Sequence, residues 1–413
     1  MAPLGAAIFL VTYVLISARR LEWLGFDRPA AALLGAVSCV VLGVLSPEEA
    51  LAAVDGATLL LLFGVMGMGA FLAVDGAFEA AEGWLLSAAG SPARLLGFVV
   101  WGAGIGGALI TNDAVCLLAA PLVVRLVVAH NLPSLPFLLA LATAANTGSV
   151  ATLVGNPQNM LCGLLGDLSF RNHLALMGPL AIVGLALNHG VLWLAFRREL
   201  ARATLTRGHA RPPLSPRALF TIVVILATAI AYSLGTDLAW TAAAGFVLLL
   251  LGHRRDAREL WPRIDFSLLL FFGGLFVAVE GFAKSGAPGA LFAAFPLDVG
   301  EGFSKWLRLS GIFMVGSNVV SNVPFILIVQ EQMHAFDHPK LAWELLAMAS
   351  TFAGNLTLLG SVANIIVAEA GREVGGVGFW QYLRVGLPVA LLTTLLGVLW
   401  LSFAAGVFPA LLR

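Results

Sequence analysis

Amide and hydroxyl side chains are concentrated in four otherwise apolar stretches of this 413-residue chain. The densest stretch, NTGSVATLVGNPQNM at 146–160, combines three Asn, one Gln and three hydroxyl residues with the helix breakers Gly148, Gly155 and Pro157. A broken helix at membrane depth is tolerated only where its backbone is buried in protein or lines a wet cavity. This stretch therefore predicts a transmembrane helix that is broken at a binding site. A surface loop would also explain the Gly and Pro, but not the recurrence of the pattern.

The pattern recurs at a fixed distance along the chain. TLVGNPQN at 152–159 aligns with TLLGSVAN 205 residues later. FLAVDG matches FVAVEG at the same offset, which pairs Asp75 with Glu280. Two matches at one offset predict an internal duplication, an arrangement typical of membrane transporters.

The composition is that of a polytopic membrane protein. Hydrophobic residues make up 60% of the chain and charged residues 11%, against about 25% charged residues in soluble domains. The formal net charge is zero, so nothing indicates nucleic-acid binding. The three cysteines, Cys39, Cys116 and Cys162, form no CxxC motif, so neither a disulfide framework nor a zinc site is indicated. We expect no cofactor other than a bound Na⁺.

Basic segments orient the predicted spans in the cell (inner) membrane. Arg19 and Arg20 follow the first apolar segment, which we interpret as a retained span, and an arginine-rich stretch separates the two halves. By the positive-inside rule both segments are cytoplasmic. The second half then runs in the opposite direction to the first, with both chain termini outside.

The predicted fold class is an all-α polytopic membrane protein with two inverted-topology repeats, each with a re-entrant helical hairpin and a broken helix. The first repeat is predicted at 1–196, with its hairpin at about 92–130 and its broken helix at about 134–165. A cytoplasmic basic linker follows at 197–217. The second repeat is predicted at 218–413, with its hairpin at about 304–336 and its broken helix at about 341–367.

The polar residues of the hairpins and broken helices are predicted to meet near the membrane midplane and to bind substrate and ions. The set is Thr111, Asn112, Asp113, Asn146, Thr152, Asn156, Asn159, Ser317, Asn318, Ser321, Asn322, Asn355, Thr357, Ser361 and Asn364. Half-helix N-termini offer N–H groups to an anion, and half-helix C-termini offer carbonyls to a cation. The predicted Na⁺ ligands are Asn112, Asn159, Asn322 and Asn364. A hydrogen bond between helices is the alternative for any one Asn, but eight Asn in four segments favour a site.

Asp113 is predicted to carry a coupling proton, because it is the only acid well inside these segments and ionisable residues at membrane depth are typically functional. The alternative is that its carboxylate caps the half-helix that starts after it. Asp75 and Glu280 lie at predicted span ends, and we expect them to be solvated. Cys116 and Cys162 lie within one helical turn of site residues, and we interpret them as core residues rather than ligands of a metalloid.

The chain resembles the ion transporter superfamily, which includes arsenite permeases, sodium/proton antiporters of the NhaD type, citrate carriers and divalent anion/sodium symporters. The resemblance rests on TNDAVCLLAAPLV at 111–123, NTGSVATLVGNPQNM at 146–160, SNVVSNVP at 317–324 and GNLTLLGSVAN at 354–364. These motifs are most similar to the arsenite-permease and anion-permease branch, whereas dicarboxylate symporters typically carry Ser-Asn-Thr at both hairpin tips. The resemblance implies a scaffold and a transport unit that work as an elevator, usually in a homodimer.

These features predict a secondary active transporter for a small inorganic anion or oxyanion-type, arsenite-like solute, coupled to H⁺ or Na⁺. No Lys or Arg lies at the centre of the four segments, so a small anion or a neutral, weakly acidic solute fits better than a polyanion. The alternatives are an NhaD-type Na⁺/H⁺ antiporter and a Na⁺-coupled dicarboxylate or citrate carrier. A passive channel fits inverted repeats less well than alternating access. An enzyme is not expected, because Gly-x-Ser-x-Gly and His-Glu-x-x-His motifs are absent and the seven His lie near span ends or in loops, with His189 as the exception.

Overall fold

The computed structural model describes residues 2–17, 27–205, 214–254, 256–297, 300 and 302–412. The described chain is helical and contains no β-strand. The predictions about Arg19 and Arg20, and about residues 206–213 of the linker, lie outside the described residues.

The helices fall on either side of the arginine-rich stretch. Those before it are α1 (Ala2–Ser17), α2 (Arg28–Val41), α3 (Pro47–Ala52), α4 (Gly56–Val74), α5 (Ala77–Ala89), α6 (Pro92–Ile110), α7 (Asn112–Ala129), α8 (Ser134–Ser149), α9 (Pro157–Leu165) and α10 (Phe170–Arg202). Those after it are α11 (Pro216–Ser233), α12 (Leu238–His253), α13 (Phe266–Lys284), α14 (Ala287–Ala294), α15 (Phe303–Val320), α16 (Asn322–Val329), α17 (Pro339–Ala353), α18 (Val362–Ala370) and α19 (Phe379–Val407).

Seven of the described helices are long and apolar enough to cross a membrane. They are α4, α6, α7, α10, α11, α13 and α19. Segments of this length and composition make the protein a multi-pass membrane protein. The last of the first-half helices, α10, continues to Arg202, so the start of the predicted linker at 197 is helical.

Several helices of the second half begin or end 210 residues after their counterparts in the first half. Asp55 and Asp265 cap α4 and α13, each accepting a hydrogen bond of 3.0 Å from the N–H three residues further on. Gly76 and Gly286 adopt left-handed backbone, with φ of 76° and 70°, between α4 and α5 and between α13 and α14. Asp75, at the C-terminal end of α4, therefore matches Ser285 at the end of α13.

The predicted pairing of Asp75 with Glu280 is thus wrong by five residues. Apolar spans of this chain draw on few residue types, so a short match such as FLAVDG with FVAVEG arises at an incorrect register. The hairpin tips share the offset of 210, whereas α8 and α17, which begin at Ser134 and Pro339, are offset by 205. The chain between hairpin tip and broken helix is five residues shorter in the second half.

Asp75 is buried, and the prediction that it is solvated is wrong. Its Oδ2 accepts a hydrogen bond from Thr221 Oγ1 (2.7 Å) and lies 2.9 Å from His253 Nε2. Its backbone carbonyl accepts a hydrogen bond from Ser215 Oγ at the start of α11. These contacts join the end of α4 to α11 and α12. The prediction failed because hydropathy locates the end of a span but not the helices that pack over it. Glu280 is partly buried.

Helices α8 and α17 form the centre of the bundle. Every residue of α8 from Pro136 to Ser149 is buried, as is every residue of α17 from Leu341 to Ala353. A Cβ added to Gly107 of α6 would lie 2.6 Å from the carbonyl oxygen of Ala145 in α8, so these two helices touch backbone to backbone. The polar C-terminal ends of α8 and α17 are therefore enclosed by protein.

Candidate functional site

Both predicted hairpins have a single non-helical residue at the tip. Thr111 lies between α6 and α7 with φ 84° and ψ 142°, and Ser321 lies between α15 and α16 with φ 73° and ψ 150°. This backbone conformation is almost confined to glycine, and a β-branched Thr in it is strained. Strained residues of this kind cluster at functional sites. The tips therefore mark a region in which backbone geometry is held against local preference.

The first tip satisfies its own backbone donors. Thr111 Oγ1 accepts a hydrogen bond from the Ala114 N–H (3.2 Å), and Asn112 Oδ1 accepts one from the Asp113 N–H (2.9 Å). Asp113 is thus not needed to cap α7, the alternative role that the sequence left open. Its carboxylate instead faces the backbone N–H of Ala363 in the first turn of α18, where the helix dipole favours negative charge.

The first helix break, between α8 and α9, is closed by two asparagines. Asn156 caps α9, because its Oδ1 accepts a hydrogen bond from the Asn159 N–H (2.8 Å). Asn159 Nδ2 donates back to the carbonyls of Ser149 (3.2 Å) and Thr152 (3.0 Å). The backbone groups that the break frees are thus satisfied inside the protein.

The second break, between α17 and α18, uses the same bonds 205 residues later. Asn364 Nδ2 donates to the carbonyls of Gly354 (2.7 Å) and Thr357 (3.1 Å). These three positions are those of Asn159, Ser149 and Thr152 displaced by 205. One asparagine therefore holds each break in the same way.

The two breaks also bond to each other reciprocally. Asn146 Nδ2 donates to Asn364 Oδ1 (2.9 Å), and Thr351, which is 205 residues after Asn146, donates to Asn159 Oδ1 (2.8 Å). Each half of the chain thus holds the asparagine that closes the break of the other half. All four residues are buried.

Asn146 is the centre of this network. Its Oδ1 accepts hydrogen bonds from Asn112 Nδ2 (2.8 Å) and Ser361 Oγ (3.1 Å). Its Nδ2 donates to Asn355 Oδ1 (3.1 Å) as well as to Asn364. An amide can accept two hydrogen bonds and donate two, so Asn146 is fully satisfied while it joins the first hairpin tip to both breaks.

Two threonines connect the hairpins to the breaks. Thr152 Oγ1 donates to the carbonyl of Ala108 in α6 (2.5 Å), and Thr357 Oγ1 donates to Asn318 Oδ1 in α15 (3.1 Å). Ser317, beside Asn318, is buried, and its hydroxyl has no hydrogen-bond partner in the described part of the chain. The predicted polar residues therefore converge on one region, as a network in which most side chains bind one another.

A small polar cavity of about 50 Å³ lies where the two tips and the two breaks meet. Its wall is formed by Arg28, Asn112, Asp113, Pro157, Gln158, Leu268, Phe271, Phe272, Ser321, Asn322, Val323, Leu359, Gly360, Ser361 and Val362. Five of the predicted residues line it, namely Asn112, Asp113, Ser321, Asn322 and Ser361. Of the other predicted residues, eight lie in the network behind the wall, whereas Thr111 caps α7 and the Ser317 hydroxyl has no hydrogen-bond partner in the described part of the chain.

Two oxygens in the cavity wall are buried without a hydrogen-bond partner among the described residues. They are Asp113 Oδ1 and Asn322 Oδ1, one beside each hairpin tip. A buried acceptor left unpaired costs about 1–3 kcal/mol. These oxygens therefore suit a bound solute with O–H groups, or a cation.

Arg28 is a site residue that the sequence analysis missed. It is the first residue of α2, is partly buried, and faces Asp113 across the cavity. The sequence analysis noted that no Lys or Arg lies at the centre of the hairpins and broken helices. That observation holds, but Arg28 reaches the cavity from α2, outside these segments. In the sequence, Arg28 precedes Pro29 at the start of an apolar span, which is equally typical of a cation at the membrane boundary.

Glu344 and His173 are buried ionisable residues that were also missed. Glu344 lies in α17 and His173 in the first turn of α10, with side-chain exposures of 3% and 0%. The prediction that Asp113 is the only acid well inside the four segments is therefore wrong. His173 does lie near a span end, as predicted, but it is buried there. The sequence feature that could have identified Glu344 is its position as a single Glu within the apolar run LAWELLAMA.

The cysteines and the predicted Na⁺ ligands are also placed by the structure. Cys116 and Cys162 are fully buried and lie outside the cavity wall. The side-chain oxygens of Asn159 and Asn364 are already used in the reciprocal bonds, whereas that of Asn322 is unpaired in the described chain. In that part of the chain, no group of three His, Cys, Asp or Glu residues could hold a metal ion.

A helical multi-pass membrane protein whose polar centre is a small cavity between helix breaks has the architecture of a membrane transporter. The chain belongs to the citrate transporter family CitMHS, whose family model matches residues 13–353. Its relatives are transporters and not enzymes.

Individual relatives agree with this assignment. The silicon efflux transporter LSI3 of Oryza sativa is 32% identical, with 96% of each chain covered. A Dictyostelium discoideum transporter named arsB is 25% identical over 95% of this chain and 90% of its own. The fold is similar to that of the YdaH transporter of Alcanivorax borkumensis, with a TM-score of 0.56, 14% identity, and coverage of 98% of this chain and 97% of that one.

Proposed function

We propose that this protein is a secondary active transporter for a small hydroxylated inorganic solute, an oxyacid or its anion of the arsenite kind, coupled to H⁺ or Na⁺. The observation that carries the proposal is the polar cavity bounded by both hairpin tips and both helix breaks. In this proposal Asp113 carries the coupling proton, and Asn112, Ser321, Asn322 and Ser361 bind the solute.

The size of the cavity supports a small solute. Its volume is about 50 Å³, and a cavity needs roughly 10–15 Å³ on the same measure to hold one water molecule. We expect a tricarboxylate such as citrate to require the wall to open further. A compact hydroxide of arsenic or silicon needs far less rearrangement of the wall.

The charge and hydrogen-bonding groups of the cavity support an uncharged or weakly charged solute. Arg28 and Asp113 carry opposite charges while Asp113 is ionised, so the wall then has little net charge. The unpaired oxygens of Asp113 and Asn322 would accept hydrogen bonds from solute O–H groups. One relative is named for silicon efflux and another arsB, and silicon and arsenite occur in neutral water as small uncharged hydroxides.

The proposed mechanism is an elevator built from two inverted repeats, working in a homodimer. The reciprocal bonds of Asn146 with Asn364 and of Thr351 with Asn159 support it, because a two-fold axis between repeats would generate such a pair. The hairpins and broken helices would move together as the transport unit, since the asparagine network binds them to one another. The spans α1, α2, α4 and α11 to α13 would form the scaffold.

A Na⁺/H⁺ antiporter of the NhaD type is the second candidate. The observation that favours it is the same pair of unpaired oxygens, because Asp113 Oδ1 and Asn322 Oδ1 could also coordinate Na⁺. In that case Na⁺, not a hydroxylated solute, occupies the cavity.

The two candidates are separated by reconstituting the purified protein in liposomes under imposed H⁺ or Na⁺ gradients. Uptake of arsenite, silicic acid, sulfate and citrate is measured, and Na⁺/H⁺ exchange is followed with a pH dye. Gradient-driven uptake of arsenite or silicic acid that is lost in Asp113→Asn supports the proposal. Glu280→Gln, an acid outside the cavity wall, is the control and should retain uptake. Citrate uptake as fast as arsenite uptake, or a dye response to Na⁺ without solute flux, contradicts it.

A further inference from the structure

His173 and Glu344 form a buried pair that connects the two broken helices. His173 Nδ1 lies 2.8 Å from Glu344 Oε2, and His173 Nε2 lies 3.0 Å from the carbonyl oxygen of Val150. Val150 is the first residue of the first break, directly after α8. Glu344 lies on α17, two turns before Thr351, whose hydroxyl donates to Asn159 in that same break. The pair therefore contacts both broken helices of the proposed transport unit.

Hydrogen-bond chemistry fixes the number of protons on this pair. The Val150 carbonyl can only accept, so His173 Nε2 carries a hydrogen. Nδ1 and Oε2 at 2.8 Å then need one proton between them, because two lone pairs would repel. Whether the pair is written as imidazolium with carboxylate or as imidazole with carboxylic acid, it holds one proton and is neutral overall. Loss of that proton would leave a carboxylate facing the Nδ1 lone pair, which would open the contact.

Among the described residues, no third charged side chain forms a hydrogen bond or ion pair with His173 or Glu344. The titratable group that faces Glu344 from a packed helix is the Cys162 thiol of α9, and α8 and α16 have no titratable side chain in their sequences. The other titratable side chains on elements packed against α10 and α17 are Arg94, Arg217, Tyr232, Lys305, Arg308, Glu331, His334, Tyr382 and Arg384. In the described chain, His173 and Glu344 form polar contacts only with each other and with Val150.

A purely structural role accounts poorly for this pair. A buried charged pair adds little stability compared with apolar side chains of the same volume. Ionisable residues at membrane depth are rare and usually serve transport or proton relay.

We propose that His173 and Glu344 form a second proton site of this transporter, separate from Asp113, which binds one proton between Nδ1 and Oε2 on one side of the membrane and releases it after the transport unit has moved to the other side. The proton is taken up from water on one side of the membrane and given to water on the other, with no other bond made or broken. The proposal rests on the proposed function and assigns the pair to coupling, not to solute binding.

The test compares two measurements in liposomes that contain the full chain, with arsenite as the probe. One is exchange of arsenite without a pH gradient, and the other is accumulation driven by a pH gradient. Glu344→Gln keeps a hydrogen bond to Nδ1 through the amide N–H but cannot exchange a proton, so accumulation should fall at least about tenfold more than exchange. His173→Gln should act in the same direction, whereas His189→Gln, further along α10, should leave the ratio unchanged. Equal losses of exchange and accumulation, or normal accumulation in Glu344→Gln, would overturn the proposal.

A second measurement does not depend on the solute. Nitrogen NMR of protein labelled at histidine reports the protonation of each ring, and the His173 signals are assigned by their absence in His173→Gln. A change in these signals between about pH 5 and pH 8 supports a proton site, whereas constant signals identify a fixed structural proton and contradict it. If wild type does not move arsenite, the proposed function fails, and this measurement still decides the proton site.

Discussion

Arg28 and Asp113 present opposite charges to one small cavity, although they come from different parts of the chain. If each compensates the other, removal of either leaves an uncompensated charge in a partly open cavity lined by polar and apolar side chains. We predict that Arg28→Gln and Asp113→Asn each lower uptake of the transported solute more than tenfold. The double variant should recover protein stability relative to either single variant, with a coupling energy of about 0.5–3 kcal/mol.

The check is a double-mutant cycle on thermal unfolding of the purified protein, alongside uptake into liposomes. Arg94→Gln, which removes an exposed arginine of α6, supplies the comparison. The change that Arg94→Gln causes in the free energy of unfolding should simply add to the change caused by Asp113→Asn. Additive losses in the Arg28 cycle would show that the two charges act independently.

At the residue scale, the sequence predicted the amide and hydroxyl set better than the charged groups. Asn146, Asn159 and Asn364 were found because polar residues are conspicuous within apolar segments. Arg28 was overlooked and Asp75 was misjudged for one physical reason, which is that both lie at span ends. A charge there is solvated or buried according to the helices that pack over it, and this information is not local in sequence.

At the element scale, the hairpin tips are a matched pair of strained residues. Replacing Ser321 by Gly should relieve backbone strain of about 1–3 kcal/mol without loss of a cap, because Ser321 makes no capping hydrogen bond. Thr111→Gly should gain less stability than Ser321→Gly, because it loses the hydrogen bond from the Ala114 N–H, which is worth about 1 kcal/mol. Thermal unfolding in detergent tests this order. Ser87→Gly, at an exposed position of helix α5, should lower stability, and a similar loss in Ser321→Gly would count against tip strain.

The contact of α6 with α8 gives a second prediction at this scale. A methyl group on Gly107 would meet the Ala145 carbonyl at 2.6 Å, whereas one on Gly102 of the same helix meets nothing within 4 Å. Gly107→Ala should therefore destabilise the protein by about 1–3 kcal/mol, and Gly102→Ala should be neutral or stabilise it by up to about 1 kcal/mol. Unfolding temperatures of the two variants provide the measurement. Equal temperatures would mean that α6 and α8 separate at little cost.

The sequence placed the elements well where backbone breakers occur and poorly where only apolar residues do. Gly155 and Pro157 located the first break, and the tip residues fell within the predicted hairpins. The predicted offset of 205 residues between the halves is correct for the two breaks. For the apolar spans before them the offset is 210, so the prediction is wrong there by five residues. Hydrophobic patterning alone does not fix register, because neighbouring registers expose equally apolar faces.

At the scale of the whole molecule, two ion pairs each join helical residues that the predicted alternation of spans, counted from an N-terminus outside, places on the same side of the membrane. Lys284 pairs with Glu49, and both lie in segments predicted outside. Arg125 pairs with Glu82 at 3.5 Å, and both lie in segments predicted to be cytoplasmic. Contacts across the membrane would have been incompatible with that arrangement. The alternation of spans is therefore consistent from the first half to the second.

Cysteine accessibility tests this arrangement across the membrane. The native cysteines are buried and should not react with a membrane-impermeant maleimide, so single cysteines can be introduced in the natural chain. Leu51 and Leu234 are 77% and 80% exposed and are predicted outside, whereas Arg198 and Arg258 are exposed and predicted inside. Cysteines at the first two positions should be labelled in intact cells, and those at the last two only after permeabilisation. Leu51 follows the second predicted span of the first half and Leu234 follows the first span of the second half, so inverted repeats place both on one side. Labelling of Leu51→Cys and Leu234→Cys from opposite sides would therefore contradict inverted repeats.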